Sequence, residues 1–248
     1  MRYAIYFAAD ANDPLMQLGS AWLGRDPFSE VPREQPSVDG LSPERFAELT
    51  ASPRRYGFHG TLKAPFSLAP ERSEAELVKA CSDFATDVAP FMVESFVVNR
   101  LGRFLALTPE GDEPDLAAFA SLCVRRFEPF RAPLGEADLE RRRKSALTPR
   151  QDAYLMKWGY PYIFDEFRFH MTLSDKLDDE TDAARMETAA RTYFAELTGR
   201  PRSCASFALY TEAERGAPFR VHTVFALTGT TPPKSAASAG GDPLKENA

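Results

Sequence analysis

Cysteine is scarce in this chain: Cys81, Cys123 and Cys204 are the only three in 248 residues, and they lie far apart. An odd, scattered set offers neither a disulfide framework nor a C-x-x-C redox or metal motif, so buried reduced thiols are expected. Long apolar runs are also missing. Nowhere do about 18 consecutive apolar residues occur, and the opening Met1–Asp10 segment has too short an apolar run for a signal-peptide core. A protein that is neither exported by that route nor membrane-spanning is expected, with a cytoplasmic location. Basic charge is not in excess either. Thirty Lys and Arg against 36 Asp and Glu give a net charge of -6, which excludes a global positive field for nucleic acid or anionic membranes. No strong nucleic-acid binding is expected, and any anion must be held locally.

What is present is ordinary globular material. A hydrophobic share of 44% and a charged share of 27% exclude collagen-like, coiled-coil and wholly disordered chains. The length suits one large domain or two small lobes without a disulfide or metal staple. Tyr3, Ile5 and Phe7 alternate with Arg2, Ala4, Tyr6 and Ala8, which predicts a strand with Tyr6 turned from the apolar face. Residues 11–53 read as a long irregular excursion with short helices near 14–23 and 43–50. Further strands are expected at 58–68, 91–99 and 103–108, and helices at 73–88, opened by a Ser73/Glu76 capping box, and at 115–130. The second half repeats the order: a helix at 148–158, a strand at 164–174, a helix at 181–197 and strands at 204–211 and 219–227. An α+β fold of two lobes, 1–145 and 146–228, is expected. Residues 229–248 are low in complexity and poor in apolar content, so a disordered tail is expected.

Histidine is rare as well, and two of the three lie in one repeated pattern. Phe58-His59-Gly60-Thr61-Leu62 and Phe169-His170-Met171-Thr172-Leu173 share F-H-x-T-L, 111 positions apart. Strand alternation puts His59, Thr61 and Lys63 on one face and Phe58, Gly60 and Leu62 on the other. In the second copy Arg168, His170, Thr172 and Ser174 share the polar face. Brought together by a pseudo-two-fold, the strands would converge two imidazoles and two hydroxyls on a volume that fits a phosphoryl group. With an unperturbed pKa of about 6.5, one ring can take a proton while the other gives one, and threonine hydroxyls can bind the non-bridging oxygens. No metal is required by such a site.

These paired H-x-T-L motifs resemble those of the 2H phosphoesterase superfamily. Arg54–Phe66 and Trp158–Tyr162 leading into Asp165–Leu173 resemble the branch associated with bacterial phosphonate-utilisation operons, and the likeness spans roughly residues 1–228. The resemblance implies a duplicated bilobal fold with two antiparallel sheets and outer helices around a central cleft. It implies hydrolysis of a small cyclic phosphodiester, a nucleotide or ribose cyclic phosphate, with His59 and His170 catalytic, Thr61 and Thr172 binding phosphate, and no cofactor. A monomer acting on a small phosphorylated substrate is expected.

Further candidates for substrate contact are Arg168 and Lys63, by their parity with the histidines, Tyr56 beside the first motif, and Tyr6 if its strand neighbours that motif. Arg54 and Arg55 read equally as solvated loop residues. Trp158, Tyr160 and Tyr162 could stack a base or sugar or simply pack. His222 lacks the H-x-T spacing, and the Arg141–Lys144 run, preceded by acidic residues, reads as a solvated face. Three alternatives stand beside the main reading. They are an RNA-end 2',3'-cyclic phosphodiesterase or 2'-5' RNA ligase, a non-catalytic phosphate- or nucleotide-binding module, and a histidine metal site, for which neither nearby Cys nor H-x-x-x-H spacing argues.

Overall fold

Apolar alternation over Arg2–Phe7 forms the first strand, β1. In the computed structural model, which describes residues 1–238, a proline and the Asp13 side-chain cap start α1, Pro14–Leu23, and Gly24 ends it at a φ of 80°. α2, Pro43–Leu49, is capped by Ser42, and α3, Ala51–Tyr56, leads into β2, Gly60–Phe66. The Ser73/Glu76 capping box opens α4, Glu74–Asp87. β3 at Phe91–Val93, β4 at Phe96–Leu101 and β5 at Phe104–Pro109 follow, then α5 at Pro114–Arg126 and α6 at Glu136–Arg143. α7, Pro149–Trp158, has a second capping box from Thr148 and Gln151. The rest comprises β6 at Met171–Thr172, α8 at Glu180–Tyr193, β7 at Arg202–Cys204, β8 at Ser206–Glu212, β9 at Phe219–Ala226 and α9 at Pro233–Ser238.

The fold is α+β, with a seven-stranded antiparallel sheet in the order β4-β5-β6-β2-β1-β8-β9 and a small β3-β7 sheet. Both motif strands lie at the middle of the large sheet, as neighbours, rather than one in each of two sheets. The expected boundary at 145 does not separate the strands. β1 and β2 run beside β8 and β9 from the far end of the chain, and β6 completes the sheet beside β5. Pairing follows which apolar faces complete a common core, and nearness in sequence does not decide it. A rough symmetry survives about the β6/β2 junction, since each motif strand has one antiparallel outer neighbour, β5 or β1.

α4 and α5 cover one face of the sheet. Phe84 and Phe119 stack at 5.8 Å and Phe207 meets Phe84 edge-on at 5.6 Å. Cys81, Cys123 and Cys204 are buried and unpaired. The strand expected over 164–174 is reduced to two residues. Phe164 takes a φ of 54° in a 3-10 turn at Phe164–Glu166, and the backbone beyond β6 bonds elsewhere, with the Leu173 carbonyl accepting from the Trp22 indole at 2.9 Å. The expected disordered tail needs correction over its described part. Thr228 and Gly229 donate to Ala85 and Val88, Ala89 donates to Thr231, and α9 follows. Backbone hydrogen bonds and a glycine whose Cβ would sit 2.4 Å from the Val88 nitrogen hold this segment, so its apolar content was no guide. Residues 239–248 of that expected tail lie outside the described residues.

Gly60 is where the two motif strands meet, and a Cβ there would lie 2.4 Å from the Phe169 ring. That ring is hemmed in by Phe7 at 5.6 Å and Phe96 at 5.8 Å. Gly60→Ala is expected to destabilise the fold by about 1–3 kcal/mol through overpacking. Gly111→Ala, with open space around the new methyl, should stay within about 0.5 kcal/mol of wild type. Urea unfolding of both variants checks the difference.

Candidate active site

The β2/β6 ladder pairs Gly60 with Met171. Continued by one residue each way, this antiparallel register sets His59 across from Thr172 and Thr61 across from His170. Gly60 lies over the buried Phe169 ring and Met171 is fully buried, so the core holds one face. His59, Thr61, His170 and Thr172 therefore share the other. The two histidines occupy diagonal positions, which lie about 7–8 Å apart in a regular ladder, within reach of long or aromatic side chains.

Both rings are oriented by the same device. His59 Nδ1 donates to the Gly57 carbonyl at 2.8 Å, and His170 Nδ1 donates to the Arg168 carbonyl, also at 2.8 Å. A carbonyl can only accept, so each neutral ring keeps its proton on Nδ1 and has Nε2 as a free base. Thr61 Oγ1 lies 3.3 Å from His59 Nε2. Gly57 makes the first turn possible with a φ of 74°, and a Cβ there would meet Pro27 at 2.6 Å. Beneath His59 lies Tyr6, stacked at 3.8 Å with planes 22° apart. Burial pushes the His59 pKa down to about 4, against the pull of the Gly57 carbonyl, and the positive charge that His170 can carry adds to the depression. His59 is neutral at neutral pH.

The site opens on two adjoining cavities that share Thr61 and Tyr160 as walls. One, of about 470 Å³, contains His59, Thr172, Tyr6 and Tyr56. The other, of about 370 Å³, contains His170, Arg168, Phe104 and Tyr162. Two larger cavities elsewhere, of about 520 and 590 Å³, contain none of the three histidines.

Of the residues singled out in the sequence, His59, His170, Thr61, Thr172, Tyr6, Tyr56 and Arg168 thus line one cleft. Lys63 does not. Tyr6 pairs with Thr61 but Ile5 pairs with Lys63, so Leu62 is an extra residue in β2 and the bulge reverses the parity beyond it. Lys63 turns to the core face, where its Nζ bonds the Val124 carbonyl at 3.1 Å and Glu128 at 2.7 Å at the C-terminal end of α5. It is a buried structural ion pair. Arg54 is structural too, tying α3 to Leu23 and Ala47 through their carbonyls. His222 Nε2 lies 3.4 Å from Glu74 and lines neither cavity of the cleft. The aromatic cluster divides: Tyr160 and Tyr162 line the cleft, while Trp158 packs edge-on against Phe164 at 5.2 Å.

Sequence reasoning missed most of the arginines. Arg2, Arg55, Arg141, Arg142 and Arg215 all line the His59 cavity. Arg2 shares the parity of Tyr6 along β1, a usable signal. Arg141 and Arg142 sit in a charge-balanced run, where composition cannot say which members of α6 turn inward.

A family profile described as "Protein of unknown function (DUF1045)" matches residues 61–220, and the chain belongs to that family. A Janthinobacterium sp. (strain Marseille) protein named "Ribose 1,5-bisphosphate phosphokinase PhnN" is 38% identical over 221 residues, covering 88% of this chain and 49% of its own. A Laribacter hongkongensis (strain HLHK9) protein of the same name is 35% identical, covering 89% and 50%. The chain spans about half the length of these curated relatives. Among solved structures, that of TT0787 from Thermus thermophilus aligns over 93% of this chain and all of its own, with a TM-score of 0.43 and 15% identity. At that level the likeness carries no weight for function.

The depressed His59 pKa makes a stability prediction. The unfolded ring protonates near 6.5 and the folded one near 4, so this contribution is complete above pH 6.5 and is lost as pH falls towards 4. Melting curves between pH 7.5 and 4.5 should show wild type losing up to about 3 kcal/mol more than His59→Gln. Parallel pH dependences would remove the inferred burial of the ring.

Proposed function

We propose that this chain is a 2H-type phosphoesterase that hydrolyses a small cyclic phosphodiester without a metal. The observation that supports it most is the matched pair of H-x-T segments on adjoining strands, each imidazole turned by a carbonyl two residues earlier. In the reaction, water attacks phosphorus while His59 Nε2 takes its proton. The P–O bond to the ring alkoxide breaks, and protonated His170 gives its Nε2 proton to the departing oxygen, leaving a phosphomonoester. Thr61 and Thr172 hold the non-bridging oxygens. His59 is assigned as the base because burial holds its pKa down to about 4, which keeps Nε2 unprotonated at working pH, and this leaves His170 as the acid.

The name carried by both relatives concerns a phosphorylated ribose, and the motifs resemble the phosphonate-operon branch. Together they favour a ribose cyclic phosphate in phosphonate metabolism. The kinase activity in that name does not carry over to this chain. The chain corresponds to about half of those proteins, and it contains no G-x-x-x-x-G-K-[ST] phosphate loop. Around the imidazoles the groups are hydroxyls, carbonyls, guanidinia and aromatic rings, with Glu166 the one carboxylate lining the cleft, and among the described residues no cluster of three or more His, Cys, Asp or Glu could hold a metal ion.

The test is a hydrolysis panel of 2',3'-cyclic nucleotides and ribose cyclic phosphates in chelator. His59→Ala and His170→Ala should each lower kcat by about 10²–10⁴. The acidic limb of kcat/KM should lie well below the 6.5 of free imidazole, towards 4. Activity lost to chelator and restored by metal would refute the mechanism, and an acidic limb near that of free imidazole would refute His59 as base.

A further inference from the structure

Five arginines, Arg2, Arg55, Arg141, Arg142 and Arg215, line the His59 cavity, and no carboxylate does. In a chain of net charge -6 this is a sharp local reversal. Two carboxylates behind the wall hold four of the five. Glu212, with no exposed surface, bonds Arg2 and also Arg55 at 3.0 Å. Asp138 bonds Arg141 at 2.7 Å and Arg215 at 2.8 Å, which ties α6 to the turn between β8 and β9. The fifth, Arg142, makes no salt bridge among the described residues. Its guanidinium lies 4.9 Å over the Tyr160 ring, and its buried Nε has no hydrogen-bond partner. Five guanidinia against two carboxylates leave an excess of positive charge at this cavity; Arg141 and Arg215 are half exposed and solvated, whereas Arg142 has a buried nitrogen and no counter-charge, which a bound anion would supply.

The phosphodiester between the histidines does not account for this. It has a single negative charge, and in the proposed reaction the two threonine hydroxyls hold its oxygens. We propose that the substrate carries a second phosphate, a terminal phosphomonoester seated among these arginines with Arg142 as its principal ligand. This inference rests on the phosphoesterase reading of the cleft and names the substrate class for it: a small cyclic phosphate that is also phosphorylated elsewhere. Guanidinium forks match a phosphate dianion through paired hydrogen bonds. The cavity also contains His59, Thr61 and Thr172, so both phosphates belong to one small molecule, within a space of about 470 Å³. The arginines ring one cavity, and do not form the strip along the surface that a polynucleotide backbone requires.

The experiment compares cytidine 2',3'-cyclic phosphate, the same nucleotide bearing a 5'-phosphate, and an oligonucleotide ending in a 2',3'-cyclic phosphate. The 5'-phosphate should raise kcat/KM by about tenfold or more, and Arg142→Gln should bring that ratio close to one. Arg142 is half-buried on α6 and its Nε bonds nothing among the described residues, so Arg142→Gln removes no hydrogen bond of that nitrogen and should fold, which thermal unfolding checks, and Arg215→Gln provides a second reading of the same ratio. Calorimetry with ribose 5-phosphate gives a result independent of turnover, with affinity expected to fall about tenfold in Arg142→Gln. Ribose 5-phosphate binding that depends on Arg142, with no turnover of any cyclic phosphate, would support the pocket and defeat the hydrolase reading. Turnover of cytidine 2',3'-cyclic phosphate with no gain from the 5'-phosphate would defeat the pocket alone. Preference for the oligonucleotide over both mononucleotides would overturn the small-molecule class.

Discussion

One short strand contact organises the candidate site: β2 against β6, with Gly60 facing Met171. It carries few hydrogen bonds, since β6 has only two residues. What it fixes is parity. Once Gly60 and Met171 turn to the core, both imidazoles and both hydroxyls must turn to the opposite face, because side chains alternate along each strand. Gly60 serves this contact by having no side chain over the Phe169 ring, which seals the core below. A slip of one residue in either strand would scatter the four groups to different faces.

The surroundings then divide the work between two similar residues. Each histidine is aimed by its own upstream carbonyl, so the protein settles ring direction and tautomer before any ligand arrives. His59 is also packed against Tyr6 and held neutral. A ring stacked on Tyr6 and held neutral in one cavity, and a ring beside Phe104 in the other, give unlike surroundings to two identical pentapeptide patterns. The arginine wall sets the character of the His59 side, and the aromatic and polar groups around Phe104 and Tyr162 that of the other.

How much of this was legible in the sequence depends on the kind of signal. The Ser73/Glu76 capping box is a local hydrogen-bond pattern, and the helix starts where these residues indicate; at residue 148 the sequence shows the helix start, and the structure adds a second box from Thr148 and Gln151. The F-H-x-T-L repeat located the four central groups, because spacing along a strand is itself geometry. Lys63 defeats parity counting, which assumes a regular ladder, because the extra residue Leu62 breaks it. The exchange of strands across residue 145, the inward turn of Arg142 and the bonding of Thr228, Gly229 and Thr231 to Ala85, Val88 and Ala89 all depend on distant partners. Local patterns hold no record of such partners.

Paired-histidine catalysis requires both imidazoles to meet a single phosphoryl group. The most direct measurement is nitrogen NMR of histidine-labelled protein titrated with vanadate, a mimic of five-coordinate phosphorus. The His59 and His170 Nε2 resonances should move together, with one dissociation constant and one anion per chain. Movement of one ring alone, or two separate constants, would contradict a shared site.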